Sequence, residues 1–225
     1  HRDLHSFPTR RSSDLEYYEA DLASYEVTVG VPDNPYDMDY QGEVSDEIDA
    51  QLEAGSYTLE SPFACINPYG TSQLAMLIAF DDVEGYASYT IKNPYSDEMD
   101  TKTYDEVTSS YSLEVFGLYP GTANEIIVDI YGADGGLLKE AVYSIEVPSV
   151  ELELGEVTDS SGNAVELPDV NNPLRITAVT KEDGVSDGLF AMTGTISSYF
   201  NYKYIFFYDN DANLRGVIDT DYCAD

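Results

Sequence analysis

The stretch between residues 55 and 80 constrains the fold more than any other part of this sequence. It contains two apolar runs, FACI and an alternating segment that ends at Phe80, with the tetrapeptide NPYG between them. The residue before a proline is pushed out of the helical region, and Gly70 can adopt a positive φ, so this tetrapeptide predicts a stiff corner. Large side chains alternate with smaller ones over positions 74–80, which indicates a strand buried on its heavier face. The stretch therefore predicts two β-strands joined by a sharp turn.

Further alternating segments follow at the spacing of a β-sandwich. They lie at 86–91, 111–115, 126–130 and 141–147, and the ADGG segment before the last of them is a strong hairpin signal. About six strands fall within roughly 85 residues. We therefore predict a mainly all-β chain in which residues 55–148 form an immunoglobulin or fibronectin III-like β-sandwich. Residues 96–109 are polar and acidic, and they predict an exposed loop.

Residues 16–54 form an acidic, tyrosine-rich segment that predicts one strand and one helix. The alternating sequence YEVTVGV, at 25–31, is typical of a short strand. Within 41–54, Ile48 and Leu52 share one face of a short helix near 43–54, and Ser45 has the chemistry of its N-cap. Gly55 is expected to end this helix in a left-handed conformation.

The first fifteen residues differ from the rest of the chain. From His5 onward, HSFPTRRSSDL resembles a translated reading frame of a widely used sequencing adapter. Residues 1–15 hold three of the ten basic residues and both histidines. We expect an adapter-like artefact, with a genuine basic arm as the alternative. On this interpretation the natural part contains no histidine, and the true N-terminus has been lost together with any signal peptide.

Charge and cysteine content exclude several classes of partner and site. Forty-three acidic residues against ten basic ones give a net charge of −33. Such a field repels nucleic acid and anionic membranes, so we expect neither as a partner, and no segment approaches the ~20 apolar residues of a membrane span. A disulfide between Cys65 and Cys223 stays open, although Cys65 lies in an apolar run and is expected to pack as a small hydrophobe.

One segment has part of a metal-site pattern. Asp209, Asp211 and Asn213 have the first spacing of a calcium loop, but Leu214 stands where such a loop needs glycine and Thr220 where it needs an acid. We favour a hairpin tip, because aspartate and asparagine tolerate turn backbone.

Other chemistry-bearing patterns are weaker still. The acid pairs at 81–82 and 97–98 are expected to be solvated groups at strand ends or in loops, and the glycines at 135–136 lack the Lys-Ser continuation of a phosphate loop. Without histidine in the natural part, neither a Ser-His-Asp triad nor a histidine metal site can form. We therefore predict no catalytic, cofactor-binding or metal-binding residue in this chain, and no cofactor.

Three blocks carry a resemblance to a known family. YTL-x-x-P before NPYG-x-x-x-L, then VFGLYPG at 115–121 and FYD through Arg215, are similar to the N-terminal region of bacterial aryl-sulfate sulfotransferases, which use no nucleotide sulfate donor. In that family a β-rich N-terminal domain precedes a β-propeller whose histidine carries the sulfuryl group. Family members have a strand-turn-strand with an arginine that matches Arg215, whereas Gly216 departs from the aromatic residue often found next.

The resemblance implies the non-catalytic N-terminal part of an exported, extracellular or periplasmic enzyme. The full-length protein would transfer a sulfuryl group from a phenolic sulfate ester to a phenol through a sulfohistidine. Residues 149–225 would then be a linker and the start of a truncated propeller, and a homodimer stays open.

A secreted or cell-surface fibronectin III-like binding module, without catalysis, is the alternative. The segment LYPGT before an alternating strand also resembles such modules. The polypeptide encoded after residue 225 distinguishes the two hypotheses, because histidine-bearing blades favour the enzyme and further sandwich repeats favour the module.

Overall fold

The chain is mainly β, as its alternating pattern predicts. The computed structural model describes residues 15–30, 32–97, 99–152, 161–164, 171, 189–193 and 204–220. One helix, α1 (Met38–Ala54), lies in this part of the chain. The strands there are β1 (Glu16–Asp21), β2 (Phe63–Ile66), β3 (Ala75–Lys92), β4 (Met99–Phe116), β5 (Thr122–Tyr131), β6 (Leu137–Val147), β7 (Phe190–Thr193), β8 (Tyr204–Tyr208) and β9 (Leu214–Asp219).

Six strands form one curled sheet in the order β1-β6-β5-β3-β2, with β4 paired to β3. β2 pairs with the first half of β3 and β5 with its second half, while β4 runs antiparallel along both halves. The β3–β4 register shifts between Asp81 and Ala87, where the sheet bends. Gly85 lies in this bend, and a Cβ there would collide with the backbone carbonyl of Tyr131. The bend curls the sheet around its own core.

The apolar face predicted from the sequence is the face that forms this core. Met76, Ile78 and Phe80 of β3 are buried, as are Ile126 and Val128 of β5. Each fully buried side chain of this size contributes about 1.5–3 kcal/mol relative to exposure. Alternation alone therefore identified the inner side of the sheet.

A second, smaller core lies on the opposite face, beneath α1. It contains the buried residues Val44, Ile48, Phe63, Cys65, Leu77 and Ala79. Cys65 is a free, buried cysteine that packs as a small hydrophobe, as expected, and Cys223 lies outside the described residues. The predicted corner is also confirmed, because Asn67 and Gly70 have φ values of 48° and 71° and the Gly70 N–H donates to the Asn67 carbonyl at 3.1 Å.

The predicted N-cap of the helix was wrong. Ser45 lies inside α1, and Asp37 caps it by accepting hydrogen bonds from the amides of Asp39 and Tyr40. The aspartate carboxylate satisfies two amides that lack partners within the helix, which Ser45 cannot do from mid-helix. Gly55 does end α1, but with a φ of −98°, so no left-handed conformation is needed there.

Two strand predictions also require correction. Residues 22–30 carry no regular secondary structure, and the N-terminal strand is instead β1, which runs parallel to β6. The Lys139 ammonium holds β1 in place, 2.7 Å from both Glu16 and Asp82. Residues 99–109 of the predicted loop belong to β4, because backbone pairing with β3 tolerates the polar side chains of a strand exposed on both faces.

A second sheet of three strands follows in the order β7-β8-β9. β8, its turn and β9 confirm the strand-turn-strand expected around Arg215. The alternating sequence from 150 to 154 also predicts a strand, but residues 150–152 have no regular secondary structure. The sequence further predicts a strand at 174–180 and a loop at 181–188, and both lie outside the described residues, as do residues 1–14. No helix in the described part of the chain is both long and apolar enough to cross a membrane.

Candidate functional site

Two of the sequence blocks that are distant along the chain meet at one buried arginine. Arg215, on β9, is only 1% exposed. Its Nε donates to the Gly117 carbonyl and its Nη1 to the Tyr119 hydroxyl at 2.7 Å. The same Nη1 lies 2.6 Å from the Asp100 carboxylate and 3.2 Å from that of Asp209. These five residues, from the curled sheet and the three-stranded sheet, are here named the arginine junction.

The segment after β4 is shaped to receive the guanidinium. Gly117 has a φ of +93°, and a Cβ there would stand 3.3 Å from Nη2 of Arg215, so glycine allows the close approach. The Arg215 guanidinium carbon lies 4.0 Å from the Tyr119 ring centroid, a cation–π distance. Asn124 fixes the backbone of Tyr119 from both sides, accepting from its N–H at 2.7 Å and donating to its carbonyl at 2.9 Å.

The turn between β8 and β9 presents Asp209 to this arginine. Its Oδ1 accepts from the amides of Asp211 and Asn213 at 3.0 and 2.9 Å, and its Oδ2 accepts from the Asn213 side chain at 3.0 Å. The predicted hairpin tip is therefore what this segment forms. No group of three or more His, Cys, Asp or Glu side chains suited to a metal ion occurs in the described residues.

Gly216, which stands where members of the resembling family often have an aromatic residue, lies beside an aromatic ring from another strand. A Cβ at Gly216 would lie 2.7 Å from the Phe116 ring, which packs edge-on against Phe207 at a centroid distance of 5.9 Å. An aromatic ring from β4 thus occupies the space beside this glycine.

The positive charge of Arg215 is balanced by the carboxylates of Asp100 and Asp209, and the Tyr119 hydroxyl is its neutral partner. Burial raises the pKa of Tyr119, although Arg215 opposes this effect, so the hydroxyl stays protonated at neutral pH. It can therefore accept from Arg215 while donating to Asp209 at 3.3 Å. The Asp209 side chain is 9% exposed and that of Asp100 55%, so Asp209 is the buried counter-charge. Removing one member of such a buried pair typically costs about 3–5 kcal/mol.

The remaining acidic candidates do not form a reactive pair. Asp82 was expected to be solvated, but its side chain is 8% exposed and pairs with Lys139, which was not foreseen because nothing local in the sequence marks that contact. Asp81 and Asp97 are exposed, as expected, whereas Glu98 lies outside the described residues. The two histidines at positions 1 and 5 lie outside them as well.

Arg215 and the turn at Asp209 were singled out from the sequence, whereas Asp100 and the contact with Tyr119 were not. A single basic residue inside the apolar run of β9 is the signal that such a side chain needs buried partners. The arginine junction contains no nucleophile beside a general base. What it can do is hold the two sheets together in one orientation.

One family model matches part of the curled sheet. Residues 63–148 match the family model described as the arylsulfotransferase Ig-like domain. The match spans β2 to β6 and ends just after β6. It confirms the resemblance and the immunoglobulin-like prediction for this part of the chain. Among curated proteins, none matches the sequence.

Proposed function

We propose that this chain, whose residues 63–148 form an arylsulfotransferase Ig-like domain, is the non-catalytic N-terminal part of an exported aryl-sulfate sulfotransferase. In the proposed full-length enzyme, a histidine outside this chain attacks the sulfur of a phenolic sulfate ester. The S–O bond breaks as an S–N bond forms, and the released phenolate takes up a proton. An acceptor phenol then takes the sulfuryl group from the sulfohistidine and restores the imidazole.

The arginine junction is the observation that supports a structural role for the chain. It joins the curled sheet to β8 and β9, which come after it in sequence, through a fully buried charge. A buried arginine that is paired through both Nε and Nη1 fixes geometry, because its planar donors meet these partners in one arrangement of the two sheets. The proposed role is therefore to set the orientation of the segment that leads into the catalytic part.

The residues of the chain are poorly suited to catalyse the transfer themselves. Both histidines of the sequence fall in the adapter-like segment. Cys65 is the remaining strong nucleophile of the described residues, but it is 2% exposed, and desolvation raises the pKa of its thiol. A buried neutral thiol reacts slowly with a sulfate ester, since the thiolate is the nucleophile.

Long-read sequencing across both ends of the coding region tests this proposal. A reading frame that replaces residues 1–15 with a signal peptide and continues past residue 225 into histidine-bearing repeats would support it. A native stop codon shortly after residue 225, or further sandwich repeats there, would contradict it and favour a non-catalytic binding module.

A further inference from the structure

A cleft lies on the face of the curled sheet opposite the main core. Its volume is about 440 Å³, within the usual range of small-molecule sites. One wall is α1, the other is the bent strand β4, and the corner at 67–72 closes one end. The cleft exists because α1 covers β2 and β3, while the outer face of β4 stays uncovered.

The lining of this cleft is largely apolar and partly aromatic. Its apolar and aromatic side chains include Ile48, Leu52, Pro68, Tyr69, Leu77 and Phe116. Ile48 and Leu77 are buried members of the smaller core, so the floor is held rigidly, whereas Phe116 is 38% exposed. A flat apolar group resting on this floor would remove apolar surface from water on both sides.

The charges around the cleft are predominantly negative. Asp49 on α1 and Glu114 on β4 are both exposed and stand on opposite walls. The whole of α1 carries six acidic residues and no basic one, so its field adds to theirs. Among the described residues that line the cleft, one is basic, namely Lys102. Its ammonium lies 4.6 Å from the Tyr104 ring centroid on the same strand and also interacts electrostatically with Glu114.

We propose that this cleft binds a small organic cation with an apolar, preferably aromatic, body and one protonated amine. The body lies on the apolar floor, and the ammonium is attracted to the carboxylates of Asp49 and Glu114. The faces of Tyr69 and Phe116 add cation–π attraction. A net charge of −33 concentrates cations at the surface and repels anions of the same shape. This site is independent of the proposed sulfotransferase role.

The test is a titration of the full ¹⁵N-labelled chain with 2-phenylethylamine, monitored by amide chemical shifts. The matched control ligand is 3-phenylpropionate, which has the same body and the opposite charge. We expect the amine to shift amides of α1 and β4 that line the cleft, with an affinity at least about tenfold above that of the acid.

Variants of the chain locate the charges that matter. Asp49→Asn and Glu114→Gln should each weaken amine binding by about two- to fivefold, as exposed ion pairs do. Glu146→Gln is the matched control, because Glu146 is exposed on β6 and lies outside the cleft. This substitution changes the net charge by the same amount as the other two. It should leave the amine affinity unchanged.

Three outcomes would overturn the proposal. Equal affinities for the amine and the acid would show that the cleft recognises only apolar surface. Equal effects of all three variants would show a general effect of net charge. Shifts confined to residues outside the cleft, or no shifts up to about 20 mM amine, would show that no such site exists.

Discussion

Replacing Arg215 with methionine should release the three-stranded sheet from the curled sheet. Methionine keeps most of the apolar volume, so the effect of losing the charge is separated from that of a large cavity. The substitution removes the donors to the Gly117 carbonyl and the Tyr119 hydroxyl, and it leaves the Asp209 carboxylate without its buried counter-charge. The Asp100 carboxylate is half-exposed and can turn to water, so its loss counts for little.

The expected loss is about 3–4 kcal/mol, since breaking a buried pair costs about 3–5 kcal/mol and the turn amides continue to stabilise Asp209. Hydrogen exchange of the full chain measures this loss of stability separately in each strand. Amides of β8 and β9 should exchange about 10²–10³-fold faster in the variant, because about 1.4 kcal/mol corresponds to a factor of ten. Amides of β5, in the middle of the curled sheet, should change far less.

Two further variants separate the proposed cause from general destabilisation. Lys92→Met removes an exposed cation paired with Glu125, so it should cost under about 1 kcal/mol and leave β8 and β9 protected. Adding Asp209→Asn to Arg215→Met should restore about 1–2 kcal/mol of stability, because it removes the buried carboxylate that has lost its counter-charge. Unchanged exchange of β8 and β9 in Arg215→Met would refute the reasoning. So would an equal acceleration in β5.

Two other substitutions test the corner and a buried hydroxyl. Gly70→Val should lower the free energy of unfolding by about 2 kcal/mol and Gly70→Asn by under about 1 kcal/mol. The reason is that Gly70 has a φ of 71°, while a Cβ there would touch Pro35 only at an ordinary contact distance of 3.6 Å. Equal urea midpoints for the two variants would contradict this. Tyr208→Phe should stabilise the chain by about 1 kcal/mol at pH 7, since no hydrogen-bond partner for the buried Tyr208 hydroxyl occurs in the described residues. Burial also raises the pKa of Tyr208 to about 12. Ionisation of this hydroxyl therefore leaves the free energy of unfolding unchanged below about pH 10 and lowers it as the pH rises from about 10 towards 12. The thermal unfolding midpoint of Tyr208→Phe should therefore fall less steeply than that of the wild type above about pH 10. A parallel decline of the two midpoints would contradict the assignment.

Local signals in the sequence were sufficient to predict the inner face of the sheet and the sharp corner at NPYG. Ile126 and Val128 follow a period of two, and NPYG restricts its own backbone, so neither prediction needs knowledge of distant residues. The β5–β6 hairpin is of the same kind, since its Gly135 has a φ of 82° in the predicted turn.

Long-range partners could not be predicted in this way. Asp82 and Lys139 are far apart in the sequence, and their contact depends on the bend of β3. Residues 99–109 are polar on both faces, so only their pairing with β3 makes them a strand. Arg215 was recognised through its resemblance to a family pattern, but its contact with Asp100 requires the fold.

The most direct test of the proposed function is a sensitive assay for aryl-sulfate turnover by the purified chain. The chain is incubated with 4-nitrophenyl sulfate and excess phenol, and release of 4-nitrophenol is followed against a buffer blank. We predict release no faster than the blank, because the proposed function places the histidine that carries the sulfuryl group outside this chain. Release above the blank that copurifies with the chain would contradict the non-catalytic role and place a sulfuryl-transfer site within these 225 residues.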